Sequence, residues 1–163
     1  DRIARAYRPW RRPPATATEP DPILARLSEE ERVRFRERGR RLVGLLIEHL
    51  DATDRAGRDL SLQEARQVAA EHGRVLAELG LSLTDAVAAF LCFRAPFLAE
   101  LATLARRRNL DTREATILLT DADRATDALL VAMMTGHTLA AGQRLVDAGR
   151  RPGAAPTGDA ADG

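Results

Sequence analysis

An arginine set in a run of phenylalanines is the residue here with the clearest chemical potential. Arg94 lies in the middle of LSLTDAVAAFLCFRAPFLAELATLARRR, residues 81 to 108, flanked at helical spacing by Phe90, Phe93 and Phe97. A guanidinium on an apolar wall must snorkel to water or hold an anion. Asp123 and Asp127 stand four residues apart, so they share one face of a later helix and are the internal partners on offer. The functional alternative is that Arg94 receives the carboxylate or phosphate of a small ligand. Pro96 removes the backbone hydrogen bond to the Cys92 carbonyl and is expected to kink the helix beside this wall. Met133 and His137 continue an apolar stripe on the last helix, next to Gly136, whose missing side chain leaves room for an approaching group. Phe90, Phe93, Arg94, Phe97, Asp123, Asp127, Met133 and His137 are therefore the candidate ligand-binding residues.

Other chemistry is sparse. His49, His72 and His137 fall on three different expected helices, and none belongs to a pair with metal-ligand spacing. No nucleophile elbow and no glycine-rich phosphate loop occurs. The chain is read as non-enzymatic, with no metal and no cofactor; a tetrapyrrole held by His137 or His72 is the alternative. Cys92, the single cysteine, has no internal disulfide partner and is expected to be a small buried hydrophobe in a reducing cytoplasm. A second kind of site lies at the start. Arg2, Arg5, Arg8, Arg11 and Arg12 interleave with Tyr7 and Trp10, a pattern that tracks phosphates and stacks on bases. Nucleic-acid binding through this arm is a further alternative to its reading as a solvated linker.

These residues need elements to position them. With 163 residues, 45% of them hydrophobic, the chain holds one domain-sized core, and a net charge of +1 carries no overall bias toward nucleic acid or membrane. All 25 basic residues are arginine, a mark of a high-GC genome. No stretch supplies the roughly 20 uncharged apolar residues of a membrane span, so a cytoplasmic protein with no membrane contact is expected. Five prolines between Pro9 and Pro22 rule out a packed helix there.

Helix punctuation then divides the chain. Ser28 with Glu31 forms a capping-box pattern with Leu27 as staple, opening a helix whose stripe runs through Phe35, Leu42, Leu45, Leu46 and Leu50. Residues 51 to 59 read as a loop. Ser61 with Glu64 repeats the capping pattern, and that helix stops at Gly80. Ser82 or Thr84 caps the phenylalanine-rich helix, read as the centre of the bundle and ending near Asn109. Asp111 with Glu114 opens the last helix, expected to end by Asp147. The expected organisation is an arm at 1–24, a helical domain at 25–148 and a disordered tail at 149–163. Its fold class is all-α: a bundle or globin-like arrangement of four to five helices around a long central helix kinked at Pro96.

The stretch AAEHGRVLAELGLSLTDAVAAFLCFRAPFLAEL, residues 69 to 101, followed by ATDALLVAMMTGH, residues 125 to 137, resembles the all-helical N-terminal domains of RsbR-type stressosome co-antagonists. It is also similar to helical effector domains attached to helix-turn-helix regulators of high-GC bacteria. The resemblance implies a sensor or dimerisation module of a transcriptional or stress regulator, working as a homodimer with a regulatory partner protein or an attached DNA-binding domain. A small anionic ligand at Arg94 fits that role. Small-residue faces, Ala86, Ala88 and Ala89 on one helix and Ala125, Ala128 and Ala132 on another, allow the close approach a dimer needs.

Overall fold

Capping signals in the sequence become helix ends in the computed structural model, which describes residues 27–150. Four helices follow one another: α1 (Glu29–Asp51), α2 (Arg55–Glu78), α3 (Leu83–Arg107) and α4 (Thr112–Arg150). No strand occurs among the described residues. Ser28 caps α1 with a complete capping box, its hydroxyl accepting from the Glu31 amide while Glu31 accepts from the Ser28 amide. The bond from the Ser28 amide, and after it the Ser28 hydroxyl, holds the Glu31 carboxyl below its ordinary pKa. Ser82 caps α3 and Asp111 pairs reciprocally with Glu114 at the start of α4. The turns after α2 and α3 use the left-handed region, at Gly80 (φ 78°) and Asn109 (φ 50°).

The start of α2 differs from the reading of the sequence. Asp54 is its N-cap, accepting from the Gly57 amide at 2.7 Å, so the helix begins within the stretch read as a loop. Ser61 lies inside the helix, buried, and donates to the Gly57 carbonyl at 2.8 Å. At the other end of the chain, α4 continues through Gly149 and Arg150, past the expected boundary at Asp147. The arm at 1–24 and the rest of the tail, from residue 151, lie outside the described residues, as do the arm's candidate nucleic-acid residues Arg2, Arg5, Arg8, Trp10, Arg11 and Arg12.

Interhelical contacts fix the directions. Arg41 meets Glu64, His49 meets the Arg58 carbonyl, and Phe35 meets His72, so α1 and α2 are antiparallel. Arg58 meets Asp121 and Arg144 meets the Ala77 carbonyl, so α2 and α4 run parallel. Arg94 meets Asp123 and His137 meets the Leu81 carbonyl, which makes α3 antiparallel to α4.

The most intimate pair is α2 with α4. Ala65, Ala69, Gly73 and Ala77 recur every four residues along α2 and are buried against it. A Cβ added to Gly73 would lie 2.8 Å from the Met133 carbonyl carbon, and one added to Gly136 would lie 2.7 Å from that of Ala70. Both helices thus touch backbone to backbone. Larger side chains, Leu45, Leu46, Leu76, Phe97, Leu101 and Leu129, fill the core beside this seam.

The phenylalanine-rich helix is therefore not the centre. α3 packs chiefly on α4, burying Ala86, Phe90, Phe97, Leu101 and Ala105, and its outer face is open. Cys92 is on that open face, not in the core. Pro96 is accommodated within a helix assigned without a break from Leu83 to Arg107. By length and composition α3 is apolar enough to cross a membrane, a property its exposed Leu91 and Cys92 share with its buried phenylalanines.

Candidate functional site

Arg94 and its aspartates come together on the seam between α3 and α4. Arg94 projects from the middle of α3, and its Nη2 lies 2.5 Å from an oxygen of Asp123 and 2.9 Å from one of Asp127. The spacing of four residues is what brings both carboxylates to one guanidinium. Arg94 Nε donates to the Thr126 hydroxyl at 3.2 Å, and that hydroxyl donates to the Asp123 carbonyl at 2.9 Å. Thr126 is fully buried and was not among the residues singled out from the sequence. Its signal was present: it lies three residues after Asp123, on the face that Arg94 approaches.

The arginine side chain is 24% exposed and the two aspartates about half exposed. One cation with two carboxylates leaves this cluster a net charge of −1. An anion that displaces one of these carboxylates from Nη2 would loosen α3 from α4.

The phenylalanines form a ladder on the same helix. Phe90 meets Phe93 edge to face, and Phe93 stacks on Phe97, both at 5.8 Å between ring centroids. Phe97 is fully buried and Phe93 half-buried.

Met133 and His137 belong elsewhere. Both line the α2–α4 seam, and the gap offered by Gly136 is filled by the backbone of Ala70. The Nε2 of His137 is 2.9 Å from the Leu81 carbonyl, so this ring ties α4 to the α2–α3 turn. His49 has a similar role, its Nδ1 2.8 Å from the Arg58 carbonyl. His72 differs. Its ring is tilted on Phe35 at 4.6 Å, its Nδ1 is buried without a partner, and burial with Arg38 nearby lowers its pKa to about 4. No group of three or more metal-ligating side chains occurs among the described residues.

A cavity of about 800 Å³ lies between the α1–α2 and α3–α4 turns, lined among others by Leu50, Arg58, Leu104, Asn109, Leu118 and Asp121. Arg58 and Asp121 pair across α2 and α4 at 2.6 Å. Arg94 is not part of it. Its walls come from four helices and two turns, a convergence that no local sequence pattern marks. No family model matches the chain, and no curated protein or solved structure matches it.

Proposed function

We propose that the chain is a non-enzymatic helical sensor or dimerisation domain of a bacterial transcriptional or stress regulator, with the α3–α4 edge as its working part. The observation that supports this reading is the Arg94 cluster. It is a polar clasp between a thinly buried helix and a 39-residue helix whose last turns are exposed. A small carboxylate or phosphate, or an acidic side chain of a regulatory partner, competes with Asp123 and Asp127 for the guanidinium. The ligand-bound form then favours a different seating of α3 on α4 and passes it to whatever α4 is attached to.

The test is a thermal-shift screen of small carboxylates and phosphates against the wild type and Arg94→Ala. An anion that raises the melting temperature of the wild type and leaves the variant unmoved is the expected result. Equal responses from both proteins, or none from either, would refute the role of Arg94.

A further inference from the structure

The exposed face of α3 repeats every three or four residues. Asp85, Ala88, Cys92, Ala95, Ala99 and Arg106 are all exposed and lie on one side of the helix. The buried residues Ala86, Phe90, Phe97, Leu101 and Ala105 lie on the other. At 100° per residue the two sets are centred about 180° apart. Between Asp85 and Arg106 the stripe is uncharged, with Leu91, 44% exposed, at its edge. Its two ends carry opposite charges.

That distribution is self-complementary. If two copies of α3 lie antiparallel about a two-fold axis near Ala95, Asp85 of one copy comes level with Arg106 of the other at both ends. The alanines and Cys92 meet between them. A two-fold contact must present the same patch twice, and this one does so with charges matched. Parallel pairing would instead set Asp85 against Asp85 and Arg106 against Arg106. Small residues permit close packing, as the α2–α4 seam of this same chain demonstrates. Arg94 at the middle of the helix, held by Asp123 and Asp127, speaks against a lipid occupant, although α3 has the length and composition of a membrane span.

We infer that the outer face of α3 is the contact for a second copy of this chain, paired antiparallel through Ala88, Cys92, Ala95 and Ala99 and fixed in register by Asp85 and Arg106. This names the surface used in the dimerisation reading above and is independent of anion binding at Arg94. One helix on each side makes a small interface, so the dimer dissociates on dilution.

Oxidative cross-linking of the full chain tests both contact and direction. In an antiparallel pair only residues beside the axis can meet their own copies within the roughly 7 Å that a disulfide tolerates. Cys92→Ser/Ala95→Cys is expected to cross-link efficiently and Cys92→Ser/Ala88→Cys hardly at all. Equal cross-linking at both positions indicates a parallel pair or random collision and overturns the assignment. So does its absence from both. Sedimentation equilibrium supplies the second readout. Arg106→Glu is expected to raise the dimer dissociation constant at least about tenfold, and Asp85→Arg/Arg106→Glu to recover it, with helicity checked by circular dichroism because Asp85 also contacts the capping Ser82. A protein that is monomeric at every concentration, or that floats with phosphatidylcholine vesicles, refutes the inference. Anion binding in the thermal-shift screen would leave the reading of Arg94 standing in either case.

Discussion

Replacing Gly136 by alanine inverts the usual consequence of adding a methyl group to a helix. In a helix interior, glycine to alanine ordinarily stabilises by about 0.5–1 kcal/mol, because alanine restricts the unfolded chain. At Gly136 the new Cβ would sit 2.7 Å from the Ala70 carbonyl carbon and 2.9 Å from its Cα. Carbon atoms pack comfortably at about 3.5–4.0 Å, so α2 and α4 must separate by about 1 Å. The obstacle is backbone, which cannot rotate away as a side chain would. Overpacking of this kind costs about 1–3 kcal/mol, more where backbone must shift. Parting the helices also opens the seam around Ala69, Gly73 and Met133. With the upper end of that cost taken because backbone must shift, subtracting the propensity gain leaves a net loss of about 2 kcal/mol, a large share of a typical total of about 5–15 kcal/mol. Gly44→Ala, where an added Cβ meets nothing within 4 Å, is the matched control and is expected to gain up to about 1 kcal/mol. Urea titrations with a shared m-value measure both. If Gly136→Ala matches Gly44→Ala in sign, the backbone contact between α2 and α4 is wrong.

Three further outcomes follow from individual side chains. The folded protein holds His72 neutral down to about pH 4, against about 6.5 in the unfolded chain. The unfolded state therefore binds the extra proton first, and the contribution of His72, complete above pH 6.5, is lost as pH falls toward 4. By pH 5 the loss is about 2 kcal/mol, and His72→Leu should remove that part of the pH dependence in urea titrations at pH 7 and 5. Arg94→Ala is expected to cost about 1 kcal/mol, and Asp123→Asn and Asp127→Asn less than that each, since either carboxylate alone still serves the guanidinium; a double-mutant cycle measures the coupling. Asp54→Ala removes a helix cap and should cost about 1 kcal/mol in thermal melts. Ser61→Ala should cost less, because Ser61 sits within α2 and does not begin it.

What was legible in the sequence was whatever depends on neighbours along the chain. Ser28 with Glu31, Ser82, Gly80 and Asn109 mark helix ends because capping is satisfied within four residues. Arg94 with Asp123 and Asp127 was legible for a different reason. A lone cation on an apolar wall needs a partner, and the last helix presents two at the correct spacing. Ser61 misled because S-x-x-E also occurs inside helices, and nothing in the residues from 51 to 59 forbade an earlier start. The choice of central helix misled for a deeper reason. Phe90, Phe93 and Phe97 announce burial loudly, whereas Ala65, Ala69 and Gly73 announce nothing, yet only small residues let two backbones touch. Hydrophobicity locates apolar surface, and the centre of this bundle is decided by the lack of side chain. The cavity between the turns and the unpartnered Nδ1 of His72 depend on which helices become neighbours, and were correspondingly out of reach.

The parallel pairing of α2 and α4 also sets an order of assembly. Helices joined by a short turn, α1 with α2 and α3 with α4, meet at little loss of chain entropy. The seam joining Gly73 to Gly136 spans more than sixty residues, so closing it costs more chain entropy than closing either turn. The two hairpins are therefore expected to form early and dock late. Gly136→Ala is then expected to hasten unfolding and leave the folding rate almost unchanged, which the two limbs of a chevron plot measure. On that expectation the α2–α4 seam is a kinetic lock, holding two hairpins together for as long as neither glycine acquires a side chain.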